Sequence, residues 1–169
     1  MRNIILNLAV SLDGYIAGPN GEYDWCFTDA DYGMKDFFNR IDATIMGGVS
    51  YRLTKSMGEN PYPHIVNHVI SRNEPDPGAA NVKMIRDDID ANTRRLKDQP
   101  GKDIWLFGGA QIIEVMLAAR LVDELMLAVH PVTLGQGIPL FPRASDRQTW
   151  QLKKSIPYPS GLVQLVYTA

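Results

Sequence analysis

The chain has 169 residues, 45% apolar and 21% charged, enough for one domain with a core of its own. A net charge of −2 gives no general attraction to nucleic acid or to an anionic membrane, and no apolar run is long enough to cross a bilayer. A single cysteine, Cys26, excludes an internal disulfide, and Met1-Arg2-Asn3 leads into strand-like sequence rather than a signal peptide, so a cytoplasmic setting is expected.

Ile4 to Val10 reads as a short buried strand, closed by the turn-rich "SLDG". Ser11 to Trp25 is broken by Gly14, Gly18, Pro19, Asn20 and Gly21 and is expected to be an exposed loop. Met34, Phe37, Phe38 and Ile41 recur at helical spacing, with Thr28 or Asp29 as the expected cap. Ala43 to Met46 is a second buried strand ending at Gly47-Gly48, and a helix is expected from near Ser50. Ile65 to Ile70 and Val82 to Ile85 are further strands. Ile89, Thr93 and Leu96 mark an amphipathic helix stopped by Gln99-Pro100-Gly101. Ile104 to Phe107 is a strand, and Ile112, Ile113, Met116 and Leu117 are the apolar side of the helix after it. Glu124 to His130 is a strand, and Trp150 to Ser155 and Leu162 to Tyr167 flank the turn "PYPSG". This alternation predicts an α/β fold in a single domain, residues 1–169: a three-layer α/β/α sandwich whose central mixed sheet is mostly parallel, with an antiparallel C-terminal edge.

Two strands hand over to helices through paired glycines, "TIMGGVSYR" at 44–52 and "WLFGGAQII" at 105–113. Ligands of open α/β sheets lie beyond the carboxyl ends of the strands. A glycine there lets backbone N–H groups approach an oxyanion, and the helix N-terminus behind it adds about half a positive charge. The alternative is that the glycines only allow close helix–strand packing. Neither junction matches G-x-G-x-x-G or the P-loop.

The order of the pieces carries more: a first strand, "SLDGYIAGPNGEYDW", "IMGG", "VISR", "LFGGAQII", "PVTLGQGIPLF". It resembles the dihydrofolate-reductase-like superfamily, and within it the group of the reductase domain of bacterial riboflavin biosynthesis and its stand-alone relatives. The resemblance implies an NADPH-dependent oxidoreductase. Ala9 and Ile16 fall where that family's backbone meets the nicotinamide. Gly47, Gly48, Val49 and Ser50 match its phosphate-binding turn, with Gly48 where an arginine is common. Ser71 and Arg72 match the position facing the adenosine ribose, where Arg72 would fork onto a 2′-phosphate. Phe107, Gly108, Gly109, Ala110, Gln111 and Ile112 match the superfamily's double glycine, which carries a cis peptide link, and the diphosphate cradle after it.

Hydride would come from the cofactor, and the protein would orient the partners and supply a proton from water or a carboxyl group. Folate reductases use an acid on the first helix, for which Asp31 is the candidate. Its alternative role is a first-turn acid favoured by the helix dipole. Asp13 is the second catalytic candidate, or a turn former bonding nearby backbone. Asp24, Trp25, Gln136 and Gly137 are candidates to meet substrate. The substrate implied by the resemblance is an aminouracil of the 5-amino-6-(5-phosphoribosylamino)uracil type. The alternatives are a dihydrofolate or pterin reductase, and a cofactor-binding protein without catalysis. No H-x-E or P-C-x-x-C pattern of a zinc deaminase is present. His64 and His68 lack a third ligand nearby in sequence, so no metal site is expected. A small-molecule substrate and a homodimer are the expected partners, with neither nucleic acid nor membrane.

Overall fold

Short buried runs rich in Ile, Val and Leu build the centre of the molecule. The computed structural model describes residues 1–56, 64–141 and 147–169. The elements are β1 (Ile4–Ser11), β2 (Tyr15–Ala17), α1 (Met34–Arg40), β3 (Ile41–Gly47), α2 (Gly48–Ser56), β4 (Val66–Ile70), β5 (Val82–Ile85), α3 (Ile89–Asp98), β6 (Asp103–Gly108), α4 (Ala110–Ala118), β7 (Glu124–His130), β8 (Ile138–Pro139), β9 (Gln151–Pro157) and β10 (Val163–Thr168). Eight strands form one sheet in the order β5-β4-β3-β6-β1-β7-β10-β9. The pairings from β5 to β7 are parallel, and β10 runs antiparallel to both β7 and β9. This is the expected mixed sheet with its antiparallel edge.

The period-two alternation of the strands sorts the helices onto two faces. Ile4, Leu6, Ile104 and Leu106 point to one side and pack with Leu96 of α3 and with Ile113 and Met116 of α4. Ile5 and Trp105 point to the other and pack with Phe37 of α1, while Met46 and Val69 meet Tyr51 of α2. The sheet is thus covered on both faces, which is why its central strands read as continuous apolar runs.

Two details differ from expectation. The α1 helix is not capped by Thr28 or Asp29. It begins after Gly33, in the left-handed region, and Asp31 accepts the N–H groups of Gly33 and Lys35, both at 3.1 Å. The 11–25 segment is not all loop either: β2 pairs with β8 in a small second sheet. Among the described residues no helix is long and apolar enough to cross a membrane, and no three His, Cys, Asp or Glu side chains are placed to share a metal ion.

One consequence of the packing is a pH dependence of stability. His68 on β4 is largely buried, and that burial, with Arg2 and Lys83 nearby, lowers its pKa from 6.5 to about 4 against the opposing pull of Asp42. Between these values the unfolded chain binds a proton that the folded chain refuses, so stability falls as pH drops from 6.5 towards 4. Unfolding titrations of His68→Gln should show a shallower fall across that window; an unchanged slope would remove His68 as its source.

Candidate coenzyme crevice and active site

Neighbouring strands β3 and β6 end side by side, with Met46 in register with Gly108. Both continue through glycine into a helix. A Cβ on Gly47 would sit 3.1 Å from Ile112 Cγ1 and 3.8 Å from the Gly109 nitrogen, so the two junctions lie against each other. Gly108 has φ +115°, a conformation that favours glycine, and the Gly108–Gly109 peptide bond is cis. A Cβ on Gly109 would lie 3.5 Å from Ser50 Oγ, an ordinary contact that places the start of α4 against the start of α2. Gly109 is the N-cap of α4 but offers no side-chain cap, and its carbonyl accepts from the Ile112 and Ile113 N–H groups at 2.9 and 3.1 Å. The N–H groups of Ala110 and Gln111 precede those bonds, and like those of the first turn of α2 they have no acceptor within their own helix. Two helix starts set against each other bring roughly one unit of positive charge to one spot.

The glycine at position 48 has a local cause. A Cβ there would fall 2.9 Å from Ser71 Oγ and 3.1 Å from Ser71 Cβ, because the turn after β4 fills the space in front of α2. That turn is tightly held. Ser71 Oγ accepts the Glu74 N–H at 3.1 Å, and the Arg86 guanidinium donates to the carbonyls of Ser71, Arg72 and Glu74. The buried Glu74 carboxylate is matched by Arg52 at 2.6 Å, so Arg52 is engaged as an ion-pair partner. The Arg72 side chain is left exposed at the rim, with no partner among the described residues. Val49 and Gln111 are exposed at the helix starts.

The carboxyl end of β1 and the long loops form the other wall. Ala9 is half-buried two residues before the end of β1, and Ile16 is half-buried on β2. Asp13 accepts from Ser11 Oγ at 2.6 Å and from the N–H groups of Leu134 and Gly135 at 3.1 and 2.8 Å. Those bonds, led by the Ser11 hydroxyl, lower its pKa to about 2. Asp13 is therefore ionised at neutral pH and ties the 11–17 segment to the 132–140 segment. Gly137 makes the same junction: a Cβ would lie 2.2 Å from the Ala17 carbonyl oxygen. Gln136 beside it is exposed. Trp25 donates from Nε1 to the Glu22 carbonyl at 3.3 Å, and its ring meets His130 edge-on at 5.3 Å. Asp24 is exposed, and Asp31 is spent on the start of α1.

Further residues outside the predicted site shape this end of the molecule. Arg86 and Glu74 shape the 71–74 turn. His130, 3% exposed, accepts the Phe27 N–H at Nε2 and faces the Ala128 carbonyl with Nδ1, anchoring the 24–27 segment to the end of β7. Gln164 is a buried polar side chain on β10. Only Gln164 had a local signal, an amide inside the apolar strand "LVQLVY".

The RibD C-terminal domain family matches residues 2–164. The protein YyaP of Bacillus subtilis (strain 168) is 42% identical over 180 residues, covering 98% of this chain and 94% of its own. A crystal structure from Shewanella sp. PV-4, assigned by name to riboflavin biosynthesis, superposes with a TM-score of 0.86 at 25% identity, covering 99% of this chain and 98% of that one. Dihydrofolate reductase from Enterococcus faecalis, complexed with NADP(H), shares the fold with a TM-score of 0.69 at 19% identity, over 98% of this chain and 95% of that one. Matched by the family model over nearly all its length, the chain belongs to the RibD C-terminal domain family.

Proposed function

We propose that the protein is an NADPH-dependent reductase of a small heterocyclic substrate, of the 5-amino-6-(5-phosphoribosylamino)uracil type or close to it. The observation that carries this reading is the contact between the two side-chain-free strand exits, which sets the starts of α2 and α4 against each other. A diphosphate needs several N–H donors and no intruding Cβ, and this spot offers both. Ser50 and Ser71 stand beside it as hydroxyl donors, and Arg72 at the rim suits the 2′-phosphate that distinguishes NADPH from NADH. Arg86 holds the backbone of that turn in place, so Arg72 binds from a preformed base.

Bound NADPH supplies the hydride. The chain's part is to place the nicotinamide over Ala9 and Ile16 and to hold the long loops closed. Asp13 does the latter as a fixed carboxylate. Both aspartates proposed from the sequence already accept two or more backbone N–H groups, so in this reading the proton comes from water rather than from either of them. The test is a titration with NADPH read by energy transfer from tryptophan, followed by turnover assays with an aminouracil ribosylamine phosphate and with dihydrofolate. NADPH oxidation with the aminouracil is the expected result. Turnover of dihydrofolate alone would move the activity to pterins, tight binding without turnover of either would make the protein a cofactor binder, and absence of NADPH binding would overturn the reading.

Arg72→Ala should weaken NADPH by about 2 kcal/mol while leaving NADH nearly unchanged, the loss expected of a charge-assisted pair. Equal losses for the two coenzymes would refute its role. Gly109→Ala should fold with an unchanged unfolding midpoint, because its methyl meets only an ordinary contact, yet weaken both coenzymes alike. Unchanged coenzyme binding in that variant would reduce the junction to a packing device.

A further inference from the structure

His130 stands at the carboxyl end of β7, 3% exposed, and its two ring nitrogens are fixed by their neighbours. Nδ1 lies 2.9 Å from the Ala128 carbonyl oxygen, which can only accept, so the ring proton is on Nδ1. Nε2 lies 3.1 Å from the Phe27 nitrogen, whose N–H can only donate, so Nε2 carries a lone pair. The ring is therefore the neutral Nδ1–H tautomer. It has no place for a second proton while Phe27 stays where it is.

The bond to Nε2 ties down the 24–27 segment. Among the described residues, the other hydrogen bonds of that segment stay within its own loop: Cys26 donates to the Tyr23 carbonyl at 3.0 Å, and Trp25 to the Glu22 carbonyl. The rings of Trp25 and Phe27 complete the attachment, meeting the imidazole edge-on with centroids at 5.3 and 5.0 Å. Asp24 and Phe27 are themselves exposed. A loop held by one hydrogen bond and two ring contacts opens far more easily than the sheet behind it.

A proton on Nε2 would set two N–H donors against each other and put a charge where water is excluded. Opening the loop relieves both. The ionisable groups around the ring favour the charge once water enters. Ser11 of β1, in register with His130, holds the Asp13 carboxylate. Asp24 lies in the held segment itself. Cys26 beside it is neutral, its thiol pushed up to about 11 by burial and then by Asp24. Further along, Asp29 is bonded by the Tyr32 hydroxyl and Asp31 by the start of α1. β10, which meets Val129 through Val163, brings no ionisable side chain to this level. None of these groups is a cation.

We propose that His130 is a positioning residue that acts as a proton-released latch: the neutral imidazole holds Trp25 and Phe27 against the end of β7, and a proton on Nε2 lets the 24–27 segment go. That segment carries Asp24 and Trp25, the residues expected to meet substrate, so their placement is kept at neutral pH and lost in acid. The latch stands on the hydrogen bonds alone. Only its consequence for substrate rests on the reductase reading.

The test follows the full chain by NMR from about pH 8 to about pH 5, the span in which histidine changes charge. The His130 ring nitrogens should show the proton on Nδ1 at neutral pH. As the ring takes its second proton, the Phe27 amide and the Trp25 indole N–H should shift with the same midpoint. The hydrogen-exchange protection of Phe27 should fall roughly tenfold, the loss of one hydrogen bond. Titration of His68, four strands away on β4, should leave Phe27 unmoved. His130→Gln, whose side-chain oxygen accepts the Phe27 N–H and does not titrate, should keep the segment held throughout, and His130→Phe should leave it released throughout. A neutral ring with its proton on Nε2, a ring still neutral at the acid end, a ring that titrates without moving Phe27, or a Phe27 transition that persists in His130→Gln would each overturn the proposal. The first three need no variant to fold. None of these readouts uses NADPH, so the latch and the reductase reading fail separately.

Discussion

The site is organised by a steric constraint: β3 and β6 leave the sheet as neighbours, and both leave it through glycine pairs set close together. Gly47 faces Ile112 and the Gly109 nitrogen, Gly48 faces Ser71, and Gly108 takes a positive φ. A Cβ at 47 would crowd the Ile112 side chain and one at 48 the Ser71 side chain, so those neighbours would have to give way. The benefit is local and electrostatic. With the side chains gone, two helix starts meet, and N–H groups with no partner inside their helices face one spot. The sheet behind them is covered on both faces, so this spot is fixed by a core that runs from Ile4 to Met116.

A second set of constraints closes the other wall. Asp13 binds three donors, two of them more than a hundred residues further along the chain. Gly137 lies against the Ala17 carbonyl, and β2 pairs with β8. Together they make one wall from two distant loops. His130 does the same for the 24–27 segment, by accepting the Phe27 N–H. The two helix starts and the cross-braced pair of loops thus both lie at the carboxyl end of the parallel strands.

Much of the fold was legible in the sequence because its signals are local. Val82–Ile85 and Glu124–His130 are strands with the expected limits, since each is a short apolar run bounded by polar turns. The helices follow their apolar spacing, although α2 starts at Gly48 rather than near Ser50, directly from the glycine junction. The start of α1 was not legible. Asp31 reaches two N–H groups across a left-handed glycine, a geometry that no residue pattern announces. The strands β2 and β8 were missed because two or three residues carry no period, and their pairing is decided by chain more than a hundred residues away. In the site, the glycine pairs were visible as punctuation. The reason for Gly48 was not, because it depends on Ser71 packing in front of α2. Asp13 was legible as a turn residue, but its longest-range partners, Leu134 and Gly135, were not. Gln164 stood out only as a polar residue in an apolar strand.

The most direct test of the account is a backbone amide NMR titration of the full chain with NADPH. The account predicts shifts at Gly48, Val49, Ser50, Ala110 and Gln111, the groups at the two helix starts, with β9 undisturbed. Saturable NADPH binding that leaves those amides unmoved would contradict it.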